Sequence, residues 1–123
     1  MGGLTVNTHI KAALLKLSDK KNPDYRNSIK ESISAVEAIC RKVTGKGTLG
    51  ESLKELESSG IVLNDQLKAG IEKLYVYTNQ KGTGIRHALM ENGNAITFHE
   101  AKFMLVACSA FINFLIPQIK SGR

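Results

Sequence analysis

At 123 residues with 42% hydrophobic content, the chain is sized for one domain with a single helical core, not for two. Its 17 basic residues against 11 acidic ones give a formal charge of +6 and a pI near 9.4, which favours phosphates or an acidic partner. Cys40 and Cys108 each sit inside an apolar helical pattern and outside any close metal-ligand spacing, so they read as small core hydrophobes in a reduced, cytosolic setting.

Val6, Ile10, Leu14 and Leu17 recur at three- and four-residue steps, which predicts a first amphipathic helix over about 5–19, broken at 20–22. Asn22 is the expected cap of the second helix. Pro23 falls in its first turn, where a missing N–H costs nothing, and Asp24 complements the positive end of the dipole. Tyr25, Ile29, Ile33, Val36, Cys40 and Val43 make the apolar stripe of that helix. Arg26, Lys30, Glu37 and Arg41 mostly take other faces, with Glu37 and Arg41 a favourable i,i+4 pair.

Residues 45–47 end the second helix, and Thr48 with Glu51 has the spacing of a capping box for a short third helix over about 49–58. Gly60 stops it. Asn64 then caps a fourth helix running to about Thr78, with Leu67, Ile71, Leu74 and, at its aromatic end, Tyr75 facing inward. Residues 79–84 carry two glycines and no apolar side chain, so the chain turns there. A brief helical or extended stretch over 85–90 follows, and Asn92, Gly93 and Asn94 mark a second turn. Thr97 and Glu100 repeat the capping-box spacing and open a last helix that is apolar nearly all round over 103–116. Such a helix needs either the centre of the bundle or a second subunit over one flank. With no internal repeat, no sustained heptad run and no alternating β-branched segment, the pattern is an all-α bundle of about five helices.

The stretch 103–119 is uncharged, but Ser109, Asn113, Pro117 and Gln118 interrupt it, so a buried helix is expected and no membrane partner. The amino-terminal MGGLTVNTHIK lacks the basic start and apolar run of a secretory signal, so a cytoplasmic location is expected. Residues 44–48, Thr-Gly-Lys-Gly-Thr, have the flavour of a phosphate loop. A P-loop needs Lys directly before Ser or Thr, four spacer residues between its glycines and a preceding strand, so the segment reads as an interhelical turn. His9, His87 and His99 match no zinc spacing, which leaves no metal and no cofactor expected. His9 and His99 read as structural, the latter solvent-exposed in the first turn of the last helix.

Residues 81–92 differ from the rest. They gather a permanent cation in Arg86, a titratable imidazole in His87, the additional cation Lys81, two glycines and the carboxylate of Glu91. Arginine can hold a phosphate through two parallel hydrogen bonds and histidine can move protons near neutral pH, the minimum equipment for phosphodiester chemistry. The plainer reading has Arg86 capping a helix end or pairing with Glu91 while His87 packs under the loop.

Several segments in order resemble the HEPN-type helical domain at the carboxyl end of bacterial abortive-infection proteins. They are Asp24-Tyr25-Arg26-Asn27-Ser28-Ile29-Lys30-Glu31, then Ser34-Ala35-Val36-Glu37-Ala38-Ile39-Cys40, then Thr48-Leu49-Gly50, then Gly84-Ile85-Arg86-His87-Ala88, then Ala101-Lys102-Phe103-Met104-Leu105-Val106. The resemblance covers about residues 23–116. It divides the chain into an N-terminal helix and connector over 1–22, a HEPN-like domain over 23–119 and a tail over 120–123.

The resemblance implies a helical bundle that forms a homodimer, contacts RNA and, as a candidate activity, cleaves it as a metal-independent endoribonuclease in phage defence. The family signature is an arginine, often followed by a polar residue, then a histidine four to six positions beyond. This chain departs from it, since His87 follows Arg86 directly and Arg26-Asn27 has no histidine after it on its helix. Carried over by position, the resemblance makes Arg86 and His87 the catalytic candidates, with Arg26, Asn27, Lys30 and Lys81 as RNA- or phosphate-binding candidates. The alternative is a non-catalytic dimerisation or protein-interaction module whose activity belongs to another protein or to an upstream domain of a longer parent.

Overall fold

The computed structural model describes residues 2–79 and 96–121. Among them are five helices and no strand: α1 (Gly2–Ser18), α2 (Tyr25–Thr44), α3 (Leu49–Glu55), α4 (Asp65–Asn79) and α5 (Phe98–Ser121). The protein is therefore an all-α bundle, with each long predicted helix at its expected place. Cys40 and Cys108 are both buried in its core as unpaired thiols.

The connector after α1 is organised by Asp19, whose Oδ1 accepts from the backbone N–H of Lys21 at 3.0 Å and of Asn22 at 2.9 Å. Asn22 is thereby held inside a turn and does not cap α2, contrary to expectation. The cap is Asp24, whose Oδ1 accepts from the Asn27 N–H at 3.1 Å, and whose own N–H donates to the Lys16 carbonyl at 3.0 Å. A carboxylate one residue past proline can reach the third amide of the helix, which is the geometry a cap requires.

Helices α1 and α2 run antiparallel and pack through small residues. Ser28 and Ser32 are fully buried on α2, as are Ala35 on α2 and Ala13 on α1, and the Ser28 hydroxyl donates to the Ala13 carbonyl at 2.7 Å. Side chains this short bring the two backbones close, and the hydroxyl finds a partner where an unpaired one would be costly. This close approach corrects the predicted stripe of α1. Val6, Ala13 and Leu17 are buried, whereas Leu14 is 51% exposed, because the helical period that keeps Ala13 inward turns its neighbour out.

Two helix ends explain the turns between elements. Gly45, at φ 77°, closes α2 with its N–H bonded to the Arg41 carbonyl at 2.7 Å, so the lysine-containing segment is an interhelical turn. The chain past α3 ends in a Schellman motif, with Gly60 at φ 100° donating to the Glu57 carbonyl and Ile61 donating to the Leu56 carbonyl. Leu56 and Ile61 are both buried, supplying the apolar contact that accompanies this motif. Thr48 caps α3 by accepting from the Glu51 N–H at 3.2 Å.

Asn64 caps α4 as predicted, its Oδ1 accepting from Gln66 N–H at 2.8 Å and Leu67 N–H at 3.3 Å. Leu67 itself is 43% exposed, a correction to its predicted inward position, while Ile71, Leu74 and Tyr75 pack partly buried against the core. The first turn of α4 is held by its cap and by the ion pair of Lys68 Nζ with Glu57 Oε1 at 3.4 Å. On α2 the half-buried Glu37 carboxyl is pushed up by burial, against the opposing attraction of Arg41 and His9.

Helix α5 buries Ala101, Met104, Cys108, Phe111, Ile112 and Leu115 along one face. Its opposite flank is bare, with Phe103 and Val106 each 57% exposed. Residues Phe98–Ile119 are long and apolar enough to cross a membrane by length and composition, yet one face of this helix forms the centre of the bundle. Gln118 near its end accepts from the Val62 N–H at 2.7 Å, strapping the loop after α3 to it.

Candidate functional site

Three helix ends converge at one end of the bundle. At the start of α2, Tyr25 meets Phe98 of α5 edge to face, with ring centroids 6.1 Å apart. Phe98 in turn contacts the ring of His99 at 5.8 Å. The last turns of α4 join them through Tyr77, whose hydroxyl donates to Glu100 Oε2 at 3.1 Å. Glu100 is fixed from its other oxygen by the Thr97 N–H at 2.8 Å, and Thr97 Oγ1 accepts from the Glu100 N–H at 3.2 Å, so the predicted capping box of α5 is complete. Burial, then the Glu100 charge and hydrogen bond, push the Tyr77 phenol up to about 12, so it stays a neutral donor.

The α2 candidates sit beside this junction. Arg26 is half-buried, and its Nε is sealed from solvent with no hydrogen-bond partner among the described residues. Lys30, one turn later on the same helical face, is exposed. Asn27 points its amide elsewhere: Nδ2 donates to Asp24 Oδ2 at 2.8 Å, and this hydrogen bond is the main cause that holds the Asp24 carboxyl below its usual range. Together Arg26 and Lys30 place two cations one turn apart at one helix end.

Arg86, His87 and Lys81 lie outside the described residues, as does Glu91. The described residues on either side are pinned to each other: Tyr77 precedes the segment, Thr97, Phe98 and Glu100 follow it, and the Tyr77–Glu100 bond ties the two sides together. From the sequence, His99 reads as a structural residue in a first helical turn. It is exposed there, but the edge-to-face series Tyr25, Phe98, His99 brings an imidazole to the end of the bundle that carries Arg26. The signal that could have found it was the pairing of two aromatics, Tyr25 and Phe98, each at a helix start.

The remaining histidine is accounted for by a local partner. His9 Nδ1 donates to Glu31 Oε1 at 2.7 Å, clamping α1 to α2. Among the described residues no three His, Cys, Asp or Glu side chains are grouped to hold a metal ion. No family model, curated protein or solved structure matches the chain. The two thiols, each pushed up to about 12 chiefly by burial, remain protonated and shielded, which leaves cysteine without a nucleophilic role.

Proposed function

We infer that the protein is a HEPN-like domain of bacterial defence, acting in the cytoplasm as a homodimer that contacts RNA and cleaves it without metal. The observation that supports this reading is the pair of cations Arg26 and Lys30, one turn apart at the end of the bundle where the Tyr77–Glu100 bond ties together the two sides of the segment holding Arg86 and His87. In the proposed reaction His87 takes the proton of a ribose 2′-hydroxyl or returns one to the leaving oxygen. Arg86 stabilises the phosphorane, and the product is a cyclic phosphate. Arg26, Lys30 and Lys81 hold the backbone phosphates. Asn27, whose amide serves the α2 cap, contributes by fixing the turn on which Arg26 stands.

The test is RNA cleavage in the presence of chelator by the wild type and by His87→Ala, Arg86→Ala and His99→Ala. General acid-base help is worth roughly 10²- to 10⁴-fold in rate, so His87→Ala is expected to lose activity by that factor. A loss confined to His99→Ala would move the proton-transfer role to the imidazole beside Phe98. Equal background rates in all four proteins would remove the ribonuclease.

A second reading, a non-catalytic dimerisation or interaction module, is favoured by the bare flank of α5, where Phe103, Val106 and Phe114 stand exposed at helical spacing. Under that reading the activity resides in a partner or an upstream domain of a longer parent. Binding of RNA by the wild type, lost in Arg26→Ala with Lys30→Ala, separates the two.

A further inference from the structure

A cavity of about 450 Å³ lies on the side of the bundle lined by α1, α2 and α5, away from the residues discussed above. Its floor is Val6 of α1, Ile39 of α2 and Ile112 of α5, each only 4–5% exposed. Further isoleucines of α1 and α5 form the walls, with the half-buried Ser109 of α5 as a polar group among them, so the interior is mainly aliphatic. The mouth is different in kind: Asn7, Lys42 and Asn113 are exposed there. Among the described residues that line the space, Lys42 is the single charged side chain, and no carboxylate opposes it.

The volume lies within the roughly 300–1,000 Å³ typical of small-molecule sites, and the arrangement of apolar body and few polar groups is the usual one. Aliphatic walls facing unfilled space forfeit dispersion contacts that an apolar guest restores, and such spaces prefer hydrocarbon to water. A lone ammonium with two amides at the rim fits an anionic end group. We propose that this cavity binds a medium-chain carboxylate, its hydrocarbon tail on the Val6, Ile39 and Ile112 floor and its head group against Lys42. The site shares no residue with the proposed ribonuclease, so neither reading depends on the other.

The experiment titrates the full chain with isotopically labelled decanoate, below its micelle-forming concentration, and follows binding by NMR, with decanol as the neutral counterpart. Saturable one-site binding is expected, with decanol held roughly fivefold more weakly, as an exposed ion pair allows. Lys42→Gln should reduce decanoate to the affinity of decanol and leave decanol unchanged. Asn113→Trp, a substitution at an exposed rim position that plugs the mouth, should abolish binding of both with the thermal midpoint retained. Non-saturable binding, equal affinity for the two probes, or undiminished binding by Asn113→Trp overturns the proposal. So does a lower solution mass for Asn113→Trp than for wild type, which would mean that a second copy of the chain covers the mouth.

Discussion

Asp24 shows how much one carboxylate can organise. It receives the Asn27 N–H and the Asn27 amide while its own backbone N–H returns to α1, so it caps α2 and sets the angle of the connector at once. Asp24→Ala is expected to cost about 1 kcal/mol in denaturant unfolding, within the range for lost caps, and Asp24→Asn should recover most of it. The depressed pKa fixes the sign of the acid dependence. The native state binds a proton at Asp24 less readily than the unfolded chain, so its contribution is full above the ordinary aspartate pKa of about 3.9. It is lost as pH falls below that value, and an acid titration of wild type against Asp24→Ala should converge there. Cys40 and Cys108 supply a second expectation. Buried and held protonated to about 12, they should resist a thiol reagent at pH 8 in the native protein and react fully in denaturant. Rapid native labelling would show that the core opens readily.

Helix pairs, more than individual side chains, explain why α1 belongs to the core. Its contact with α2 runs through Ala13, Ser28, Ser32 and Ala35, where small volume and not hydrophobicity is the useful property. Ser28→Leu should force the helices apart and cost about 1–3 kcal/mol, the range for overpacking. Ser28→Ala, which only removes the hydrogen bond to the Ala13 carbonyl, should cost about 1 kcal/mol. The ratio of the two, measured by urea unfolding, distinguishes a steric role from a polar one. Helix α4 is the contrasting case, since its apolar residues are only partly buried and Leu67 and Val76 face solvent. It is tied at both ends by polar contacts, Lys68 with Glu57 at its start and Tyr77 with Glu100 at its aromatic end.

At the scale of the molecule, the described residues form a bundle whose last helix buries one face and leaves large apolar side chains exposed on the other. Phe103, Val106 and Phe114 remain exposed on α5, a spread of large apolar side chains of the kind that marks an interaction surface. If that flank is the homodimer contact, Phe103→Glu with Val106→Glu should convert a dimeric wild type to monomer in sedimentation, with the helical circular-dichroism signal retained because neither side chain belongs to the buried core of the chain. A monomeric wild type would exclude the dimer. It would also exclude a composite site built from two copies.

How much of this was legible can be followed position by position. Caps at Thr48, Asn64 and Thr97, the glycine stops at Gly45 and Gly60 and the thiols as core residues are all readable from the chain, because each depends on neighbours within a few residues or on a single helical period. The inward face of α1 was misread because Leu14 is more hydrophobic than Ala13, whereas the fold selected the smaller residue to let two backbones meet. Asn22 was misread as a cap because the competing turn depends on Asp19, and both candidates carry suitable side chains. Nothing local announces that Tyr25, Tyr77, Phe98 and Glu100 meet, or that Val6, Ile39 and Ile112 share one cavity. Periodicity and capping are properties of adjacent residues and so are written along the chain. Which faces touch, and what is left uncovered or hollow between them, follows from packing side chains of unequal size around a common centre, and only the folded arrangement decides it.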